Sequence, residues 1–209
     1  MTDGTPALDE LERDALTELV NIGVSRAAAS LRKMVNKQVI LSVPSVEIVT
    51  RRSAASLIGQ RESEAFIAVQ QQFEGPFSGR AMLIFPESNG LSLARAIVGD
   101  EMDEADLAEM EDEALAETGN VILNGCLGSM ANMLQHTLKM SLPEVHRGDS
   151  TALFGVLDRA ADESFVLFLY INFSVQDRQI RGYIAMLMDL PSLEKLKKLI
   201  ADFIDRVMA

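Results

Sequence analysis

The chain has 209 residues, 48% of them apolar, and a formal net charge of −12. That charge argues against nucleic acids and anionic membrane surfaces as partners, because both are polyanions, and it suits a partner with a basic or mixed surface. The single cysteine, Cys126, excludes an internal disulfide, and the longest apolar stretch, Ser164 to Val175, is too short to cross a bilayer.

Taken in order, Met1 to Asp14 is acidic and lacks the apolar segment of a signal peptide, so the expected location is the cytoplasm. Thr5-Pro6 reads as an N-cap with proline at the first helical position, opening a helix that runs to about Asn36. Leu16, Leu19, Val20, Gly23, Ala27, Leu31 and Met34 form its apolar face. Val39 to Val43 reads as a short strand ending at Pro44, and Ser53 to Ile58 as a helical turn closed by Gly59. Glu64 to Phe73 and Ser78 to Phe85, joined by Glu74-Gly75-Pro76, read as an antiparallel hairpin. Leu91 to Val98 is a short helix with Gly99 as its C-cap.

Asp100 to Glu113 holds nine acids in fourteen residues and reads as a linker feeding the positive end of a second long helix. That helix continues to about Leu138, with Leu115, Ile122, Cys126, Met130 and Met133 on its apolar face. Cys126 there is a buried thiol rather than a nucleophile. Ser150 to Leu157, Glu163 to Phe173, Gln179 to Met188 and Ser192 to Val207 then repeat the turn, the two strands and the closing helix.

The repetition extends to a polar constellation. Asp14, Glu18, Asn21 and Pro44 recur, at an offset of 99 residues, as Glu113, Glu117, Asn120 and Pro143. On a helix, positions i, i+4 and i+7 fall within about 60° of one another, so each set of acid, Glu and Asn makes one narrow stripe opposite the apolar face. The stripes continue as Ser25 and Ala28 in the first copy and as Asn124 and Leu127 in the second, where Leu127 would add apolar contact area. The expected fold is α+β: a single domain over residues 1–209, with internal repeats at about 5–99 and 104–209. Its halves are related by a pseudo-twofold, with a central, mainly antiparallel sheet packed by the two long helices. His136 and His146 stand too far from other ligand types to suggest a metal site.

The pattern (Asp or Ser)-x3-Glu-x2-Asn-x22-Pro, with Asn21-Ile22-Gly23, resembles that of the CheC/CheX/FliY family of response-regulator phosphatases over nearly the whole chain. The first copy matches at all four positions; the second has Glu113 where Asp or Ser is usual. Two intact sites resemble the CheC-like members, since CheX-like proteins keep one site and FliY-like proteins carry a further switch domain.

The resemblance implies hydrolysis of the aspartyl-phosphate on a CheY-like receiver, with Glu18, Asn21, Glu117 and Asn120 as catalytic residues and Asp14, Pro44, Glu113 and Pro143 in support. It implies no cofactor of the chain's own, since the receiver brings Mg²⁺, a lysine and the phosphorylated aspartate. An Asn amide, which both donates and accepts, can fix the attacking water, and a Glu one turn away can pair with the receiver's lysine. The other implied reading is a non-catalytic module that sequesters phosphorylated receivers or binds the deamidase CheD.

Overall fold

The computed structural model describes residues 6–61, 65–99, 103–156, 164–175 and 178–208. Helix α1 (Glu10–Val35) is capped by Asp9, whose side chain accepts from the Glu12 N–H while the Glu12 carboxylate accepts from the Asp9 N–H. A reciprocal cap of this kind stabilises a helix by about 1 kcal/mol, and it moves the start from the expected position. Pro6 stands outside the helix, and Thr5 lies outside the described residues. The helix stops where expected, with Asn36 in the left-handed conformation at φ 50°.

Strand β1 (Val39–Thr50) and helix α2 (Arg51–Arg61) follow, then the hairpin of β2 (Phe66–Glu74) and β3 (Gly79–Pro86), and α3 (Gly90–Val98). The second half comprises α4 (Glu104–Met133), β4 (Lys139–Met140), β5 (Glu144–Gly148), the short α5 (Ser150–Leu153), β6 (Ser164–Val175), β7 (Arg178–Asp189) and α6 (Leu190–Met208).

The seven strands form one sheet in the order β1-β6-β7-β3-β2, with β4 and β5 both paired to β2, and every pairing is antiparallel. The order is unchanged when the halves are interchanged, β1 answering to β4 plus β5, β2 to β6 and β3 to β7. The pseudo-twofold therefore passes between β3 and β7. Each half lends its outer strand to the other: β1 pairs with β6, and β5 with β2.

Alternation along the strands gives the sheet two apolar faces. Ile67, Val69, Phe73, Leu167, Leu169 and Phe173 pack with buried residues of α1, α3, α4 and α6. Phe66, Ala68, Val166 and Phe168 pack with Ala54, Ala55 and Ile58 of α2 and with Leu153 and Phe154 at α5. The two long helices cross in close contact. A Cβ on Gly23 would lie 2.8 Å from the Cys126 carbonyl oxygen, and one on Gly125 would lie 2.8 Å from the Ala27 Cβ.

Three local expectations need correction. Met34 is 40% exposed rather than core. The acidic stretch is mostly helix rather than linker: Asp103 caps α4, Glu104 and Asp106 occupy its first turn, and only 100–102 fall outside the described residues. The favourable match of acids to the helix N-terminus explains why that stretch folds as the helix itself. At the other end α4 stops at Met133, short of Leu138, because Gln135 turns left-handed at φ 63°. Among the described residues, no helix is long and apolar enough to cross a membrane.

Candidate functional site

Helical spacing does what it dictates for the two stripes. Asp14, Glu18, Glu113 and Glu117 are exposed, and Asn21 and Asn120 are half-buried at the inner end of each stripe. The stripes extend to Ser25, which is exposed, and to Asn124, which is half-buried, but no further. Leu127 is fully buried and Ala28 nearly so, since i+7 from each Asn has rotated into the core. Leu127 therefore adds no surface to the second stripe.

The prolines act on the sheet edge. Strand β1 does not end at Pro44 but runs through it to Thr50, with its register against β6 slipping between Ser42 and Ser45. In the second half the corresponding slip separates β4 from β5, with Pro143 in the gap. Proline lacks a ladder donor, so an outer strand with a bulge is where a sheet tolerates it.

In the first copy the slip leaves the backbone of Val43 without a ladder partner, and Asn21 supplies one. Asn21 Nδ2 donates to the Val43 carbonyl at 3.0 Å, and the Val43 N–H donates to Asn21 Oδ1 at 2.9 Å. The spacing Asn-x22-Pro thus acquires a physical meaning: it braces the helix against the residue preceding the proline. Val43 is 2% exposed and Pro44 exposed.

The second copy is built differently. Leu142, the counterpart of Val43, is 85% exposed. Asn120 Oδ1 accepts from Gln71 Nε2 at 3.2 Å and from Asn124 Nδ2 at 2.5 Å. Gln71 Nε2 also donates to the Ser141 carbonyl at 2.8 Å, and the Gln72 N–H donates to Ser141 Oγ at 2.9 Å. Asn120 Nδ2 has no partner among the described residues. The first Asn is therefore tied once at each end of its amide, whereas the second is gripped twice by its oxygen and offers its whole nitrogen.

Gln71 and Leu142 form part of this site although the repeat does not reveal them, and Asn124, which continues the second stripe, joins them. A signal for Gln71 exists in the sequence: within Ile67 to Phe73, the odd positions are Ile67, Val69, Gln71 and Phe73, so a polar residue occupies an inward position.

Between the two copies, burial pushes the Cys126 thiol up to about 12, which keeps it protonated at neutral pH. His136 is half-buried, and His146 Nε2 lies 3.4 Å from Glu144 Oε2 at the surface. Arg147 on β5 lies 2.6 Å from Asp112 and 3.2 Å from Glu111. The hydrogen bond that Arg147 donates to Asp112 is the main cause that holds its guanidinium charged, so two acids of α4 serve to tie the helix to the edge strand. Among the described residues no group of three His, Cys, Asp or Glu side chains could hold a metal ion.

Residues 67–166 match the family described as chemotaxis phosphatase CheX, and residues 11–48 match the CheC-like family. The flagellar motor switch phosphatase FliY of Bacillus subtilis is 28% identical over 80% of this chain, and the CheY-P phosphatase CheC of the same organism is 24% identical over 90%. The chain spans 44% of the length of that FliY and 93% of that CheC. The crystal structure of Thermotoga maritima FliY superposes with a TM-score of 0.74 over 94% of this chain and 98% of its own, at 17% identity. The middle domain of Helicobacter pylori FliM reaches 0.59 over 92% and 99%, at 12% identity. At such identities the likeness is one of fold.

Proposed function

We propose that the chain is a response-regulator phosphatase of the CheC/CheX/FliY type, as its matches to the CheX and CheC-like families support, and that it hydrolyses the aspartyl-phosphate of a CheY-like receiver. The observation that carries the reading is the second stripe, where an exposed Glu117 stands one turn from an Asn120 whose amide nitrogen is unengaged among the described residues.

In the proposed reaction water attacks phosphorus in line with the aspartyl oxygen. The bond from phosphorus to that oxygen breaks, the carboxylate is restored, and the proton of the water leaves with inorganic phosphate. Such a transition state gathers charge on the phosphoryl oxygens and asks chiefly for positioning. The receiver brings Mg²⁺ and its lysine as part of the substrate. Glu117 pairs with that lysine, and Asn120 donates to the water or to a phosphoryl oxygen. The exposed Leu142 beside Pro143 supplies apolar contact to the docked receiver, the role that Leu127 cannot fill.

A second reading applies to the first copy. Because each end of the Asn21 amide is tied by a hydrogen bond to Val43, which fixes its orientation toward the strand, Glu18 there holds a receiver without turning it over rapidly. The test is phosphate release from a panel of CheY-like receivers charged by a small phosphodonor. The protein should accelerate release from at least one of them, and rates equal to spontaneous decay throughout would overturn the reading.

A further inference from the structure

Gln71 is a polar side chain in an apolar row. It faces the helices between Val69 and Phe73, both fully buried, and is itself 1% exposed. Its counterpart in the other half is Ile171. Phe73 lies opposite Met140 and Phe173 opposite Leu41, so Gln71 and Ile171 each stand two residues before matching phenylalanines. Ile171 is 3% exposed and belongs to the same core.

The fold is therefore satisfied with an aliphatic side chain at this position. A buried amide there carries a desolvation cost that hydrogen bonds must offset. At Gln71 the offset is incomplete: Nε2 donates to Asn120 Oδ1 and to the Ser141 carbonyl, but Oε1 is buried without a partner. A residue kept at such a cost, with an aliphatic alternative in the other half, is explained by what it holds.

We infer that Gln71 is a positioning residue of the second site, acting through Asn120. Together with Asn124 it occupies both lone pairs of Asn120 Oδ1, which leaves Nδ2 as the only group that amide can present. The second site thereby offers a fixed hydrogen-bond donor, suited to a phosphoryl oxygen whose charge grows in the transition state. An interaction of that kind acts on turnover rather than on affinity. The inference rests on the phosphatase reading of the second copy, but the grip on Asn120 can be tested apart from it.

The experiment compares the wild-type protein with Gln71→Met, which preserves length and volume while removing the donor. Gln71→Ile, which copies the other half, is the second variant and replaces it should Gln71→Met not fold. The readouts are the side-chain amide NMR signal of Asn120, identified by its loss in Asn120→Ala, and kcat and KM for dephosphorylation of a phosphorylated CheY-like receiver. The Asn120 signal should shift while that of Asn21 stays, and kcat should fall roughly 10-fold with KM unchanged.

An unmoved Asn120 signal, or an unchanged kcat in a folded variant, overturns the inference. So does a loss confined to KM. If the wild-type protein dephosphorylates no receiver, the phosphatase reading fails, and the NMR signal alone then decides whether Gln71 holds Asn120.

Discussion

The two copies of the Glu-x-x-Asn stripe share their spacing and diverge in what lies beneath. Under Asn21 the strand position is Ile171, the bulge residue Val43 turns inward, and the asparagine closes onto the backbone. Under Asn120 the strand position is Gln71, the bulge residue Leu142 turns outward, and the asparagine is held by its oxygen. One buried aliphatic exchanged for one buried amide accompanies a change in what the site can offer. Identical surface motifs can therefore diverge in role through the layer below them.

The sharpest way to break this comparison is to remove each asparagine in turn. Losing one positioned donor commonly costs on the order of 10²-fold in rate. Asn120→Ala should lower single-turnover dephosphorylation by about that factor, Asn21→Ala should leave most of it, and the double substitution should leave none. Equal losses from the two single variants would show that the difference beneath the sites does not matter to catalysis.

Stability should rank the same two variants in reverse. Asn21→Ala leaves both backbone groups of Val43 unsatisfied, which costs about 1–3 kcal/mol. Asn120→Ala removes one acceptor from side-chain donors that each keep another, Gln71 Nε2 on the Ser141 carbonyl and Asn124 Nδ2 on the backbone carbonyl of residue 120, and should cost less than about 1 kcal/mol. Urea denaturation of both variants decides the matter; a less stable Asn120→Ala would contradict the bracing role given to Asn21.

A smaller effect is expected at the docking surface. Leu142→Ser should raise KM a few-fold, on the order of 1 kcal/mol or less, with kcat and stability unchanged, because its side chain is mostly in solvent. Replacing Glu18 and Glu117 together by Lys should weaken binding of a phosphorylated receiver mimic through like-charge repulsion. Wild-type affinity in the doubly charge-reversed protein would remove both glutamates from the interface.

Much of this was legible in the chain. Helical spacing gave both long helices, the short Glu74-Gly75-Pro76 connection gave the β2–β3 hairpin, and the offset of 99 residues joined two sets of polar side chains to two halves of a fold. What could not be read was long-range. That Pro44 interrupts an outer strand rather than ending it depends on β6, far along the chain. Whether i+7 from an asparagine faces water or core, as at Leu127, depends on how closely α1 and α4 cross, which Gly23 and Gly125 set. The unlike partners of Asn21 and Asn120 depend on which strand each side chain reaches, β1 of its own half for Asn21 and β2 of the other half for Asn120.

The exchange of outer strands also bears on how the protein is made. Val39 pairs with Val175, so during synthesis β1 must wait for most of the chain before its ladder can close. At translation speeds of about 5–20 residues per second that interval is on the order of 10 s, much longer than a hairpin such as β2–β3 needs to form. The first half then emerges from the ribosome with an open strand edge on either side of its hairpin. Such a nascent chain carries unpaired strand edges until its second half is made, and cutting the gene at the midpoint of the repeat should yield fragments that fold only in each other's presence.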